Sequence, residues 1–365
     1  MVGVSMASLI DLTRTTLQDL PDNEFETALP YQKSHALNYW FGKNKKMIHS
    51  GTEILRSILL DDSGNAKFVR PYQKTPINVA NVQQQLTAPW VRVQTDWSIA
   101  LEEFLANRKP ARFIDLVKSK RTDALLSLAK LMERRAWLTP QSSTDDLNPR
   151  GLAYWISKLP PSGRANYDST IDVDQDFSGR FIIWGDGTFT HTSKAGISPT
   201  TYSKWRNYCA TYTAINSDFL TRMGRAFHET EFESPMTLED LREGYASNYR
   251  IYMAVDELVA FEALANAQND NNGPDLDKFF GMTVFKRVPV LNAPVLKEDT
   301  SNPVYGVNHA CFKPFVREGL WMKESEPMVD KEQHLVETTF NDSQFQYMAT
   351  NVRECGFVLH NALST

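Results

Sequence analysis

Apolar residues recur at helical spacing through one long stretch of the chain, from Ala111 to Leu138. The apolar positions are Phe113, Ile114, Val117, Ala124, Leu125, Leu128, Leu131 and Met132. The polar positions carry mostly cations, namely Lys118, Lys120, Arg121, Lys130, Arg134 and Arg135. Pro110 stands where the first helical position would be, and Pro140 closes the far end. The pattern predicts an amphipathic helix roughly 40 Å long, far longer than the average helix.

The pattern before this helix is typical of extended chain. Thr52 to Leu60 resembles a strand, Asp61 to Asn65 a turn, and Phe68, Val69 and Tyr72 a return strand. Val91 to Trp97 then alternates polar and apolar residues. These two strands and their turn would form a hairpin, but the segment has too few apolar residues to stabilise a hairpin on its own. We therefore expect the hairpin to require a partner surface.

The first 45 residues resemble an arm. Leu9, Leu12, Leu17 and Leu20 form one short amphipathic helix that Pro21 ends. The aromatic cluster Tyr39, Trp40 and Phe41 needs a docking surface, and a neighbouring chain is one option.

A mixed α/β body is expected after the long helix. Its predicted helices are Ser217 to Glu231 and Glu257 to Gln268, and its predicted strands are Phe181 to Trp184, Ile251 to Val255 and Val284 to Leu296. From Pro303 onward, short strands separated by turns predict one antiparallel sheet. We interpret Leu335 to Asn341 and Phe345 to Asn351 as separate strands.

Composition narrows the class of protein. The 365 residues include 39 Lys and Arg against 44 Asp and Glu, a net charge of −5, which argues against a dedicated nucleic-acid binder. The three cysteines, Cys209, Cys311 and Cys355, are widely spaced and predict reduced core thiols. The N-terminus has no signal-peptide pattern and no apolar run is long enough to span a membrane, so we expect a soluble protein made in a cytoplasm.

No sequence motif indicates chemistry. The seven histidines show no H-x-x-x-H or H-E-x-x-H spacing, and there is no nucleophile elbow or phosphate loop. Asn269 to Gly273 resembles a calcium loop but has Gln268 and Phe279 at two key ligand positions. Gly185-Asp186-Gly187 is typical of a hairpin turn, and the carboxylate pairs Asp61-Asp62, Glu102-Glu103 and Asp145-Asp146 lie in polar contexts. We therefore predict no catalytic, cofactor-binding or metal-binding residues and no cofactor.

Several stretches, in their shared order, resemble the tailed-bacteriophage major capsid proteins of the Hong Kong 97 type. They are Leu37 to Phe41, Gly51 to Ile54, Glu133 to Pro140, Gly151 to Ile156, Trp205 to Tyr208, Tyr249 to Met253, Asn302 to Asn308, Phe312 to Pro314, Gly319 to Met322, Gln333-His334 and Asn351 to Arg353. The resemblance covers nearly the whole chain, although each motif alone is short.

The resemblance implies an α+β fold with named parts. Residues 1–45 would be the N-terminal arm, and residues 46–97 the extended β-hairpin loop that lies over a neighbouring subunit. Residues 98–140 with 306–352 would form the peripheral domain, with the long helix as its spine. Residues 141–305 with 353–365 would form the axial domain. The arm and the hairpin would then be buried only in the assembled shell.

The resemblance also implies a function: a non-enzymatic major capsid protein of Caudoviricetes. It would assemble into hexamers and pentamers of an icosahedral head through its arm and loop. The head would enclose double-stranded DNA without sequence-specific binding. A separate scaffolding protein and a portal at one vertex are the expected partners, a decoration protein is left open, and no membrane is involved. Synthesis and assembly would take place in the bacterial host cytoplasm, and the final location would be the virion.

Some family members join a loop lysine to an asparagine of the next subunit. Lys67 and Lys74 lie near the predicted loop tip, but no sequence signal indicates this chemistry, and we expect none. Two alternatives remain at this point. A bacterial nanocompartment shell shares the fold, and a carboxylate-based α/β hydrolase would gather some of the scattered histidines and acids into a pocket.

Overall fold

The structure is a computed structural model that describes residues 13, 35–43, 45–60, 65–71, 83–106, 110–140, 142, 145–159, 179–182, 193–230, 248–269, 283–286, 288–329 and 332–361. The strands are β1 (Lys46–Ile48), β2 (Glu53–Leu59), β3 (Gln83–Pro89), β4 (Val91–Ala100), β5 (Arg180–Ile182), β6 (Asn207–Thr211), β7 (Tyr249–Met253), β8 (Val284–Phe285), β9 (Val288–Asn292), β10 (Val304–Asn308), β11 (Phe312–Arg317), β12 (Lys323–Glu324), β13 (Met328–Val329), β14 (Val336–Ala349) and β15 (Gly356–His360). The helices are α1 (His35–Leu37), α2 (Leu101–Ala106), α3 (Pro110–Ala136), α4 (Leu152–Trp155), α5 (Ser217–Glu229), α6 (Val255–Asn269) and α7 (Val352–Cys355). A π-helical turn, Asn38–Lys43, continues α1, and Ser203–Trp205 and Pro294–Glu298 are 3₁₀ turns.

A six-stranded sheet is built around the long strand β14. Strand β4 pairs with one edge of β14 over ten residues, from Val91 opposite Phe345 to Ala100 opposite Val336. Strands β11, β12 and β13 follow one another along the other edge, and β1 adds to β11 in parallel. The predicted alternation in Val91 to Trp97 thus forms a strand, but the strand belongs to this sheet and continues to Ala100. The short helix α2 therefore begins at Leu101, directly after this strand.

The long amphipathic helix is confirmed as α3, with 27 residues. It packs against β4, and Val117, Leu125, Leu128 and Met132 of its apolar stripe are buried. The prediction that the whole apolar stripe is buried was wrong at two positions, because Ile114 is 45% exposed and Leu131 is 46% exposed.

The assignment of Arg121 to the exposed polar face of α3 was also wrong. Arg121 is only 4% exposed, and its Nε donates to Oε1 of Glu324 in β12 at 2.7 Å. The charged face of the helix therefore does not lie wholly in solvent.

A seven-stranded mixed sheet forms the second body, in the order β5-β6-β15-β10-β7-β9-β8. Strand β15 is parallel to β6 and β7 is parallel to β9, whereas β10 is antiparallel to both β15 and β7. Helices α5 and α6 contribute Phe219, Met223, Phe227 and Phe261 to the core on this sheet. The predicted helices and the strands expected at Phe181 to Trp184 and Ile251 to Val255 are therefore present within two or three residues of the expected bounds, where they are described. The strand expected at Val284 to Leu296 was wrong, because this segment contains two antiparallel strands, β8 and β9, followed by the 3₁₀ turn Pro294–Glu298.

The single antiparallel C-terminal sheet was wrong. Strands β10 and β15 join the seven-stranded sheet, while β11 to β14 join the six-stranded one. The two strands expected at Leu335 to Asn341 and Phe345 to Asn351 are one strand of 14 residues. The intervening Asn341 and Ser343 resemble a turn in sequence, but both are buried between strands.

The aromatic cluster at the end of the predicted arm docks on its own chain, not on a neighbour. Trp40 is fully buried, with ring centroids 5.5 Å from both Trp137 of α3 and Phe312 of β11, and 6.5 Å from Tyr252 of β7. Phe41 stacks on Trp321 at 5.1 Å. The residues after Leu37 thus join the spine helix and both sheets within one core.

Candidate assembly surfaces

Strands β2 and β3 form an isolated antiparallel hairpin, with Glu53 opposite Pro89 and Leu59 opposite Gln83. The predicted return strand was wrong. Phe68 and Val69 are described as irregular and exposed, Tyr72 lies outside the described residues, and the true partner is Gln83–Pro89. This strand begins with three glutamines and therefore lacks the apolar alternation by which a strand is predicted from sequence.

One face of the hairpin is already buried within the same chain. Ile54, Leu86 and Ala88 are each at most 1% exposed and belong to the main core. The Gln346 side chain donates to the Pro89 carbonyl at 3.0 Å, and the Thr87 amide donates to the Ala195 carbonyl at 3.0 Å. The expectation that the hairpin is buried only in a shell is therefore wrong for its inner face.

The remaining hairpin surface is open. Leu55 is 56% exposed on the outer face of β2. In the described part of the tip, residues 65–71, Phe68 is fully exposed and Val69 is 54% exposed. Burying one such side chain in a contact is worth about 2 kcal/mol, so these residues favour association.

A second open surface lies at β12 and β13, on the edge of the six-stranded sheet. Met328, Val329 and Leu335 are 48%, 36% and 44% exposed. Glu326 and Glu332 are exposed beside them. This edge therefore combines apolar groups with carboxylates.

The chemical candidates from the sequence are not brought together within the described residues, where no group of three or more His, Cys, Asp and Glu side chains could hold a metal ion. The calcium-like Asn269 to Gly273, the Gly185 to Gly187 turn, the Asp61-Asp62 pair and Lys74 lie wholly or mainly outside these residues, and Lys67 is exposed. Asp145 caps the turn before α4 by accepting from the amides of Leu147 and Asn148. Within the described part of the chain, no helix is long and apolar enough to cross a bilayer.

The described histidines are dispersed, and two of them are structural. His309 is fully buried with its Nε2 2.9 Å from the Tyr252 hydroxyl, and burial followed by the nearby Arg250 holds its pKa well below the usual range. The Leu159 amide donates to Nε2 of His360 at 3.1 Å, and burial lowers the pKa of His360 to about 4. Neither ring is exposed to a substrate.

A buried lysine that the sequence analysis missed fixes the loop that contacts the hairpin. The Lys194 ammonium donates to the Trp155 carbonyl, the Ser157 hydroxyl and the Asn207 side-chain oxygen at 3.1, 3.0 and 2.7 Å. Burial lowers its pKa to about 7. No spacing or motif around Lys194 signals this position, because its partners come from two distant segments.

The cysteines are free thiols, as expected: Cys209 and Cys355 are buried and Cys311 is partly buried. Burial raises the pKa of Cys209 to about 12 and that of Cys311 to about 11, so neither is a thiolate at neutral pH. Cys209 and Cys355 are therefore core groups.

Comparison with known proteins identifies the fold. No protein-family model matches the chain, and no curated protein matches it in sequence. A chain of the cyanophage A-1(L) capsid asymmetric unit is similar in structure, with 13% identity, 88% of this chain and 91% of that chain covered, and a TM-score of 0.58. Chains from the cyanophage Pam1 capsid asymmetric unit and the capsid of Myoviridae phage XM1 are each 10% identical, with TM-scores of 0.49 and 0.48. They cover 86% of this chain, and 86% and 87% of their own lengths.

At 13% identity the similarity to the A-1(L) chain establishes the fold and nothing finer. The α+β class and the tailed-phage capsid fold of the Hong Kong 97 type, expected from the sequence, are confirmed.

Proposed function

We propose that this chain is the major capsid protein of a tailed double-stranded DNA bacteriophage and has no enzymatic role. The observation that carries the proposal is its similarity to a phage capsid chain over 88% of its length, at a TM-score of 0.58. The subunit would self-assemble into hexamers and pentamers of an icosahedral head in the host cytoplasm and end in the virion.

The proposed division of labour follows the parts of the fold. Residues 1–45 act as the arm, apart from Trp40 and Phe41, which pack in the subunit core, and residues 46–97 contain the loop, apart from β4, which belongs to the six-stranded sheet. Residues 98–140 with 306–352 form the peripheral domain and residues 141–305 with 353–365 the axial domain, to whose sheet the whole of β10 belongs. The exposed Leu55, Phe68 and Val69 support a loop that contacts a neighbouring subunit. A separate scaffolding protein, a portal and DNA enclosed without sequence-specific contacts complete the proposed system.

A mechanical role suits the way the chain is held together. Trp40 and Phe41 tie the spine helix to both sheets, so a load on one sheet is transmitted to the other through packed side chains. Contacts repeated between identical copies and closed by symmetry generate rings and shells.

The test is assembly of the purified full chain, alone and together with a candidate scaffolding protein. We expect negative-stain images and sedimentation to show rings, tubes or closed shells. A chain that stays monomeric or dimeric under all conditions would contradict the proposal. Hydrolysis of ester or glycoside substrates, lost on replacing a single His or Asp, would instead favour the enzyme alternative.

A further inference from the structure

Three cations meet at one end of the six-stranded sheet, around the ring of Phe315. Lys46 of β1 is the direct cross-strand neighbour of Phe315, and its Nζ lies 6.0 Å from the ring centroid. The Arg56 guanidinium, which reaches across from the hairpin, lies 5.1 Å from the same centroid. Lys313 precedes Phe315 by two residues in β11 and so lies on the same face of the sheet. We call Lys46, Arg56 and Lys313 the basic end.

Among the described residues, no carboxylate neutralises the positive charge of the basic end. In the described part of the chain, none of its three side chains forms an ion pair. Repulsion by Arg56, then burial, then Lys313 lowers the pKa of Lys46. Gathering like charges without a counter-charge is unfavourable, and an anionic partner would relieve it.

The partner surface must present apolar side chains in addition to its carboxylates. A cleft of about 470 Å³ adjoins the basic end between the hairpin and β14, and Leu55, Ile58, Leu86 and Met348 supply its apolar lining. A free phosphate or a DNA backbone has no group to fill such a cleft. A protein surface that combines carboxylates with apolar side chains does.

The opposite end of the same sheet has this combination. Residues 324–332 contain four acids and one lysine in sequence: Glu324, Glu326, Asp330 and Glu332 against Lys331. Glu324 pairs with Arg121, and the side chains of Glu326 and Glu332 lie at the surface. Met328 is 48% exposed and Val329 36% exposed between them. We call Glu326, Met328, Val329 and Glu332 the acidic end.

The two ends cannot meet within one molecule. Phe315 at the basic end is opposite Gln346 of β14, and Met328 at the acidic end is opposite Thr338. Gln346 and Thr338 are eight residues apart in a continuous strand, which places the ends roughly 27 Å apart on a rigid sheet. Complementary patches at two ends of one body form head-to-tail contacts between copies.

We propose that the acidic end of one copy binds the basic end of the next, with Met328 and Val329 entering the cleft beside the hairpin. The choice of a second copy as partner rests on the proposed capsid function. The contact is heterologous, so two copies joined by one contact still offer one basic end and one acidic end to further copies, and the series of contacts closes by symmetry.

Charge reversal in the full chain tests this contact. The basic-end variant is Lys46→Glu with Lys313→Glu, and the acidic-end variant is Glu326→Lys with Glu332→Lys. We expect each alone to weaken association by at least about tenfold, because like charges then face each other. A 1:1 mixture of the two variants should recover association into rings with an even number of subunits, since one variant has two acidic ends and the other two basic ends and the two must alternate. Lys118→Glu with Lys130→Glu, on the exposed face of α3, is the matched control and should assemble as the parent does.

Cross-linking tests the contact independently of shells. A 1:1 mixture of ¹⁴N- and ¹⁵N-labelled full chains is treated with a zero-length carbodiimide reagent and analysed by mass spectrometry. We expect Lys46 or Lys313 of one label joined to Glu326 or Glu332 of the other. Links from these lysines only to other carboxylates, or only within one label, would overturn the inference.

The outcomes separate the inference from the proposed function. If the parent forms shells and both end variants do so equally well, the inference is wrong and the capsid function stands. If the parent forms no shells, the capsid function fails and the isotope-mixed cross-link alone decides the inference. If the basic-end variant loses binding to duplex DNA but keeps assembly, the basic end is a phosphate site and the inference is wrong.

Discussion

The indole rings of Trp40 and Trp137 lie with their centroids 5.5 Å apart, which fixes the end of the N-terminal segment against the last turn of the spine helix. The Trp137 Nε1 donates to Oε1 of Glu133, one turn earlier in the helix, at 2.9 Å. This hydrogen bond holds the Trp137 side chain in one rotamer, and Trp40 packs against it. This contact makes the residues after Leu37 an integral part of the subunit core.

Replacing Trp40 with alanine should therefore destabilise the isolated subunit. We expect Trp40→Ala to lower the free energy of unfolding by about 3–5 kcal/mol, because a fully buried aromatic side chain leaves a cavity among several rings. Denaturant unfolding followed by circular dichroism measures the change. The control Phe68→Ala removes an exposed aromatic residue and should change monomer stability by less than about 0.5 kcal/mol. Equal effects would show that Trp40 docks elsewhere.

A charge on the buried stripe of α3 should prevent folding. We expect Leu128→Asp to cost about 4 kcal/mol or more, because Leu128 is 2% exposed and an unpaired carboxylate there cannot be solvated. The yield of soluble folded subunit and its thermal unfolding measure this. Ser127→Asp, at the adjacent exposed position, is the control and should fold normally. A soluble, cooperative Leu128→Asp variant would mean that the stripe is not the buried face.

The ion pair between Arg121 and Glu324 should behave as a buried pair. Their side chains are 5% and 19% exposed, so Glu324→Gln leaves a buried guanidinium without its carboxylate, at a cost of about 3 kcal/mol. The double variant Arg121→Met with Glu324→Leu should recover most of that stability, and a double-mutant cycle measures the coupling. The exposed pair Arg134 and Glu298, each 60% exposed, is the control, with an expected coupling below about 1 kcal/mol. Equal couplings would contradict the burial of Arg121.

Lys194 should make stability depend on pH. Burial lowers its pKa in the folded state to about 7, from an ordinary value of 10.5. Between these values the unfolded chain binds the extra proton, so the free energy of unfolding should rise with pH by up to about 1.4 kcal/mol per pH unit.

The useful window for this measurement is pH 7 to 9. The ordinary pKa of a cysteine thiol is about 8.5, whereas burial raises the pKa of Cys209 to about 12 and that of Cys311 to about 11, so ionisation of these thiols in the unfolded chain opposes the rise equally in the parent and in Lys194→Met. We therefore expect denaturant titrations to show that the difference in free energy of unfolding between the parent and Lys194→Met grows by about 2 kcal/mol in favour of the parent across the window. A difference that does not change with pH would contradict a neutral buried amine.

Local sequence determined the elements whose pattern is strong and long. The spine helix, the strand at Val91 to Trp97 and helix α5 follow from spacing alone, because each must present one apolar face at a fixed period. The resemblance in motif order then predicted the capsid fold that the structural comparison confirmed.

Tertiary structure decided where those elements go. The sequence of β14 predicts two strands. Strand β14 is continuous because it pairs with β4 on one edge and with β11, β12 and β13 on the other. The hairpin's return strand could not be found, because Gln83 to Gln85 have no apolar alternation and only pairing with β2 defines them. Arg121 and Lys194 are buried polar groups whose partners are far away in sequence, so no local pattern indicates them.

The same distinction applies to the candidate contact surfaces. Acids and lysines at separate places in the sequence carry no information about distance, and periodicity cannot say whether a charge is neutralised by its own chain. Only the sheet, which sets Lys46 beside Phe315 and Met328 beside Thr338, places a basic cluster at one end and an acidic one at the other. Sequence determined which residues form each strand, and the long-range pairing of strands decided which charges share a surface.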